Sequence, residues 1–288
     1  MQLGIGLPNA IAGTSREQII DWARAAEEAG FSSLGTIDRL VFDCYESIVA
    51  LSAAAAVTER IGLVTDVMLG PLRQNPALVA KQVLSLDAVA GGGRTVLGIA
   101  LGGREDDYEV SGIDFSTRGD WLDAALPKIR AIWNAEGDLE SKVGPPARNG
   151  GPRLLVGGNV GRSLERAARF GDGWTQGGAG PDAFRETAAS LHEAWENAGR
   201  DDKPYTMALV YFSLGPDAQQ NAENDLGAYY AWLGEEIAQA IVGGAAKDAD
   251  TVKQYVSAFE TAGCDELILF PASADPGQVT LLAEAAGL

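Results

Sequence analysis

Short apolar runs alternate along this chain with longer stretches in which apolar residues return every third or fourth position, and the alternation repeats eight times. The runs are Gln2–Leu7, Ser33–Ile37, Ile61–Val67, Thr95–Leu101, Arg153–Gly158, Gly173–Gln176, Tyr205–Leu214 and Glu266–Pro271. Each has the length of a strand, and each is followed by a pattern of helical period. Eight βα units in succession predict an α/β chain whose parallel sheet closes on itself, a (β/α)8 TIM barrel forming one domain over residues 1–288. Barrels of this kind carry their chemistry on the loops after the C-terminal ends of the strands. The search for a site therefore narrows to the stretches beginning at Pro8, Asp38, Met68, Gly102, Asn159, Gly177, Gly215 and Ala272.

Local signals agree with this reading. Ser15 and Gln18 have capping-box spacing before the first helix, whose Ile19, Trp22, Ala23 and Ala26 recur at helical period. The third helix starts at Pro76, turns Val79, Val83, Leu86 and Val89 inward, and stops at Gly91-Gly92-Gly93. Two segments break the short-loop rhythm. Glu136–Gly151, rich in Gly, Pro and charge, joins a helix to a strand and so belongs on the face opposite the chemistry. Gly215–Lys247, after strand seven, is an extra helical region longer than one barrel helix; its aromatic stripe, Tyr229, Tyr230 and Trp232 with Leu233, reads as core packing ahead of a cover for the site or a subunit contact.

Hydrophobic residues make up 46% of the chain, enough for a large core, and the net charge of -18 supplies no basic stripe for nucleic acid. The two cysteines, Cys44 and Cys264, lack metal-ligand spacing and read as small buried residues of a reducing compartment. No run approaches the roughly 18 apolar residues of a membrane span, and the first strand follows no basic or long apolar leader, so a cytoplasmic protein with no membrane partner is expected.

Several chemistries fall away. The one histidine, His192, sits inside a helical run, so a His-rich metal site is absent. The lysines fall in helices or helix-side loops rather than on strands, which disfavours a Schiff base. There is no Walker, nucleophile-elbow or Rossmann pattern. What remains is the turn after strand five, Gly157-Gly158-Asn159-Val160-Gly161-Arg162-Ser163, which opens a helix. Amides freed by glycine, the positive end of the helix and the fork of Arg162 suit a phosphate dianion, although a tight turn with a surface arginine has the same pattern.

Stretches spread along the chain resemble the luciferase-like flavin- or deazaflavin-dependent oxidoreductases. They are Ala25–Phe31 leading to Asp38, Arg60–Val67, Pro71–Pro76, Ala80–Asp87, Gly92–Gly98, Gly112–Gly119, Val156–Gly158 and Ala167–Trp174. The resemblance implies a barrel whose open end binds coenzyme F420 or FMN. Its phosphate would lie on Gly157, Gly158, Asn159, Gly161 and Arg162, and its ring against a bulge, often with a non-prolyl cis peptide, that falls on Asp66-Val67. After strand two, where many members carry an acid and a histidine, this chain has Asp38-Arg39. Arginine cannot serve as the base, so Asp38 is expected to position substrate or cofactor and Arg39 to bind an anion or stabilise charge on the ring; alternatively the two form an ion pair at the rim. After strand four, Gly102 and Gly103 leave space over the ring, and Glu105, Asp106, Asp107 or Tyr108 could supply a proton.

The compact chain and the form of the turn at Gly157–Ser163 favour F420, hence hydride transfer to or from a small organic substrate. The alternative is an FMN-dependent monooxygenase served by a flavin reductase. Less favoured are a non-catalytic flavin-binding relative and a barrel hydrolase using carboxylates such as Glu105 and Asp217. A homodimer is common among the proteins it resembles, and the apolar faces around Val49–Val57 could supply the contact.

Overall fold

All eight apolar runs form strands that pair side by side, parallel and in chain order, and the last closes on the first (computed structural model; residues 1–148 and 150–288 are described). They are β1 (Gln2–Gly6), β2 (Ser33–Thr36), β3 (Gly62–Leu69), β4 (Thr95–Ala100), β5 (Arg153–Gly157), β6 (Gly173–Gln176), β7 (Tyr205–Phe212) and β8 (Glu266–Pro271). The helices are α1 (Arg16–Ala29), α2 (Ser47–Ala55), α3 (Pro76–Val89), α4 (Glu105–Ser111), α5 (Arg118–Trp133), α6 (Gly161–Phe170), α7 (Pro181–Asn197), α8 (Ala218–Tyr230), α9 (Glu235–Gly244), α10 (Ala249–Thr261) and α11 (Gly277–Ala286).

The ends of the helices follow their residues. Ser15 and Gln18 close the expected capping box on α1, and Asn75 accepts from the amides of Ala77 and Leu78 ahead of Pro76 on α3. Gly91, Gly92 and Gly93 all take positive φ after α3, a conformation that costs glycine little. Val89, expected inward, is 60% exposed; Ala90 continues the stripe of Val79, Val83 and Leu86 instead, as a 3.6-residue period demands.

Apolar residues pack in two layers. Between sheet and helices lie Trp22, Leu34, Leu63, Leu97, Leu126, Trp174 and Phe259, while Val64, Leu155, Met207, Leu209, Ile268 and Phe270 fill the barrel itself. Strand alternation sorts them, since neighbours along a strand face opposite sides. Phe270 fits because Gly6 and Gly35 stand opposite, where a Cβ would come within 2.3 and 2.8 Å of its ring.

The segment between α5 and β5 ties to the lower rim: Lys81 donates to the Gly144 carbonyl and Arg148 to that of Gly91. That places it where a helix-to-strand connection must lie, away from the strand C-termini; Asn149 within it lies outside the described residues. Cys264 is buried as expected, but Cys44 is only half-buried. His192 is exposed on α7, its Nδ1 beside the Ala188 carbonyl. Among the described residues no helix is long and apolar enough to cross a membrane.

Candidate functional site

Above the C-terminal ends of the strands lies an open cavity of roughly 180 Å³. Ile37, Asp38 and Arg39 wall one side, and Asp66, Val67 and Leu69 of β3 the next. Gly102, Gly103, Arg104 and Asp107 follow, then Gly177 and Gly178 after β6 with Leu209 and Tyr211 of β7. Tyr229, Tyr230 and Trp232, at the end of α8 and the turn beyond it, close the circuit. The extra helical region therefore covers the site. Core packing alone does not describe its aromatics, because β7 delivers the chain to the barrel mouth and α8 has no sheet face left to cover except that mouth.

At β3 the pairing with β4 slips between Thr65 and Met68, and the Asp66–Val67 peptide is cis, where the resemblance places the bulge. Inward residues of β3 alternate, so Asp66 follows Val64 onto the barrel interior. Its Oδ1 accepts a hydrogen bond from the Thr175 hydroxyl at 2.8 Å, whereas Oδ2 is buried and has no partner among the described residues. Burial pushes this carboxyl up to about 7 against the pull of that hydroxyl, with Glu266 adding to the rise.

Asp38 and Arg39 do not pair with each other. The Asp38 carboxylate takes Arg73 Nη2 at 2.8 Å and the Leu69 amide at 2.9 Å, and Arg73 also reaches Glu46 at 2.8 Å. Burial pushes Asp38 up from its ordinary range while Arg73 opposes it. Arg39 turns the other way, to Asp107: Nε donates to Oδ2 at 2.9 Å, and the amides of Leu40 and Val41 donate to Oδ1 at 3.1 and 2.7 Å. The guanidinium packs beside the rings of Phe42 and Tyr229, 5.9 and 5.4 Å from their centroids, and its buried Nη1 has no partner among the described residues. An ion pair at the rim is thus replaced by two separate buried pairs, because β2 ends between α4 and the turn after β3, and each offers a partner of opposite charge.

The acids expected after β4 are committed elsewhere. Asp107 holds Arg39, Asp106 takes Arg104 Nη2 at 2.6 Å, and the buried Tyr108 hydroxyl donates to the Leu101 carbonyl; Glu105 is exposed. Gly102 has no space beside it, since a Cβ there would sit 2.9 Å from Leu69 Cδ2. Gly103 does leave space, with Trp232 as its nearest neighbour at 3.6 Å. Arg104 in turn stacks on Trp232, 5.3 Å from its centroid, and donates to the Tyr229 carbonyl at 3.2 Å.

The turn after β5 lies beside this cavity and is not part of its wall. Gly157 is the link, since a Cβ there would meet Val67 Cγ1 at 3.1 Å. Gly158 has a φ of 126°, and a Cβ on it would come 2.5 Å from Ser163 Oγ, so only glycine fits; the Trp174 indole donates to its carbonyl at 2.7 Å. Asn159, Gly161 and Arg162 are exposed where α6 begins, Val160 at the N-cap makes no side-chain hydrogen bond, and Arg162 makes no hydrogen bond or ion pair among the described residues. Nothing in the sequence singles out Arg73, Thr175 or Tyr211 as site residues, and Tyr230 stands out only as part of the aromatic stripe. Arg73 lies in the Pro71–Pro76 stretch, but only the folded geometry joins it to Asp38.

Known proteins resemble this arrangement as a whole. An uncharacterized protein of Mycobacterium tuberculosis is 31% identical over 221 residues, 66% of this chain and 75% of that one. An F420-dependent secondary alcohol dehydrogenase, solved with an F420–acetone adduct, superposes with a TM-score of 0.79 at 19% identity, covering 99% of this chain and 98% of that one. The FMN-bound oxygenating constituent of 3,6-diketocamphane monooxygenase from Pseudomonas putida superposes with a TM-score of 0.74, also at 19% identity, covering 98% and 96%. Likeness at that identity speaks to the fold alone. The sequence profile of the luciferase-like monooxygenases, however, matches residues 1–280, and this chain belongs to that family.

Proposed function

We propose that this protein is an oxidoreductase that binds coenzyme F420 and transfers a hydride between it and a small organic substrate. The observation that carries the reading is the juxtaposition of a Gly158 turn that tolerates no side chain, opening α6 beside Arg162, which is unpaired among the described residues, with a cavity walled by the Asp66–Val67 bulge. The residues fit such a group. Amides of the first turn of α6 and the Arg162 fork suit a phosphate, while the apolar and aromatic cavity, with two buried polar atoms still unpartnered on Asp66 and Arg39, suits a ring with polar edges. Gly157, Gly158, Asn159, Gly161 and Arg162 would hold the phosphate end, and Val67, Gly102 and Gly103 would border the ring. When bound, a deazaflavin supplies hydride exchange, whereas reduced FMN would supply oxygen chemistry.

The chain's own part is binding, orientation and exclusion of water. Asp38, held by Arg73 and the Leu69 amide, fixes the turn after β2; it is spoken for as a base. Arg39, part of the cavity wall with Nη1 unpartnered among the described residues, would offer a charged donor to an acceptor oxygen of the bound ring. Tyr229, Tyr230 and Trp232 shelter it from solvent. The dehydrogenase named above is supporting company for F420, and the camphane oxygenase is the same for FMN.

Side-by-side fluorescence titrations with F420 and FMN test the proposal. Preference for F420 with substrate reduction or oxidation supports it; preference for FMN moves the protein to the monooxygenases, with a flavin reductase as partner; binding of neither removes it. Arg162→Ala should weaken the preferred cofactor by about 1.5–3 kcal/mol, the range for a charged hydrogen bond, and unchanged affinity would withdraw Arg162 from the site.

A further inference from the structure

With no histidine at the cavity, Asp106 and Asp107 committed and Glu105 exposed outside its wall, the site needs another group able to move a proton. Asp66 stands alone among the carboxyls of the cavity wall. Asp38 is neutralised by Arg73 and Asp107 by Arg39, but no lysine or arginine comes within ion-pair distance of Asp66 among the described residues. Its position is built. Gly98 on β4 and Gly157 on β5 stand between β3 and β6, and a Cβ at Gly98 would come within 2.2 Å of the Thr65 carbonyl. With no side chain at these two positions the Asp66 carboxyl reaches Thr175, which fixes Oδ1; Oδ2 is buried with no partner among the described residues, and Asp66 is part of the cavity wall.

We propose that Asp66 is the proton-exchanging residue of this cavity, donating from Oδ2 to an oxygen or nitrogen acceptor of the molecule bound against Val67. The inference rests on the proposed function for the identity of that molecule. In the step, the Oδ2–H bond breaks and the proton bonds to the acceptor atom. The electron pair of the broken bond stays on Asp66, whose carboxylate keeps the Thr175 hydrogen bond, and water returns the proton when the site opens. A carboxyl whose affinity for protons matches neutral pH is suited to this, and burial brings Asp66 to about 7. Glu266 on β8 faces it from below and raises it further, whereas β4, β5 and β6 offer only Gly98, Gly157 and Thr175, none of which titrates. Across the cavity stand Asp38 and Arg39, Asp107 on α4, Tyr211 on β7 and the α8 tyrosines. The first three are tied into the ion pairs described above, and burial raises the tyrosines further above an ordinary value already well over neutral.

The test uses the full-length protein with carbon-13 in its aspartate carboxyls, followed by NMR from pH 5 to 9 without cofactor. Asp225 on α8 is also pushed up to about 7, so Asp66 is the resonance that Asp66→Asn removes. A midpoint near 7 that Thr175→Val moves upward supports the proposal; ionisation complete below pH 5 overturns it. The Thr175→Val comparison stands even where Asp66→Asn does not fold. With the preferred cofactor saturating, Asp66→Asn should bind it within about twofold, lower turnover by about 10²-fold or more and lose the pH limb near 7. Unchanged turnover and pH profile in a variant that binds cofactor normally would refute the role of Asp66 alone. Failure of the wild type to bind either cofactor would strike the proposed function and leave the titration to decide on Asp66.

Discussion

Replacing Asp107 by alanine probes the buried pair that shapes the cavity wall. The side chains of Arg39 and Asp107 are only 4% and 1% exposed, so neither charge is well screened by water. The substitution removes the acceptor for Arg39 Nε at 2.9 Å and for the amides of Leu40 and Val41, and leaves the guanidinium with the Val41 carbonyl and a 3.8 Å contact to Asp106. Removing one partner of a buried pair costs about 3–5 kcal/mol because the other charge stays desolvated. The two amides add about 1–3 kcal/mol each if nothing replaces the carboxylate, but members of one network do not sum, so about 3–5 kcal/mol is the expected total. At about 2–4 °C per kcal/mol this lowers Tm by roughly 6–20 °C. Urea unfolding followed by tryptophan fluorescence measures the difference directly. Cofactor affinity, read in parallel, should fall as the turn carrying Arg39 loosens. A loss below about 1 kcal/mol would mean that the pair behaves as a surface bridge, and the account of Arg39 as a fixed, oriented donor would be wrong.

Further expectations follow from the same geometry. The Asp66 carboxyl is raised from 3.8 to about 7 on folding, so its neutral form contributes stability that is full below pH 3.8 and is lost as pH rises through 7. At about 1.4 kcal/mol per pH unit the loss levels off at about 4 kcal/mol, and Asp66→Asn, which lacks it, should gain on the wild type between pH 4 and 8; parallel stability curves would contradict this. Gly103→Trp should fill the space beside Trp232 and block substrate while cofactor still binds, and retained turnover of the native substrate would count against it. Gly158→Ala, forced to a φ of 126° with its Cβ 2.5 Å from Ser163 Oγ, should destabilise the protein by about 1–3 kcal/mol and weaken cofactor binding, both measurable by thermal shift with and without cofactor.

Much of this molecule was legible before it was folded. Strand alternation and helical period are local, and they marked all eight strands to within a residue or two, the Ser15–Gln18 box and the glycine stop after α3. Knowing the barrel, one also knows which strand ends hold the site, and Asp38, Arg39, Asp66, Val67, Gly102 and Gly103 do meet around one cavity. The same local reasoning reads the aromatics at the end of α8 as core and misses that they also wall the cavity, because an aromatic stripe at helical spacing looks alike whether it faces a sheet or a barrel mouth.

What local pattern cannot contain is the pairing of charges. Asp38 and Arg39 are neighbours in the chain, yet each is claimed by a residue brought up from elsewhere, Arg73 and Asp107, because a buried charge goes to whichever opposite charge the packing delivers within hydrogen-bonding reach. Asp66 shows the same dependence. Along the chain it is a polar residue at a strand end, and only the closed barrel, with glycines at 98 and 157, sets Thr175 against one of its oxygens, leaves the other without a partner among the described residues and puts the residue in a cavity wall. Periodicity belongs to the covalent chain and is written residue by residue, whereas desolvation and charge pairing belong to the space the folded chain encloses.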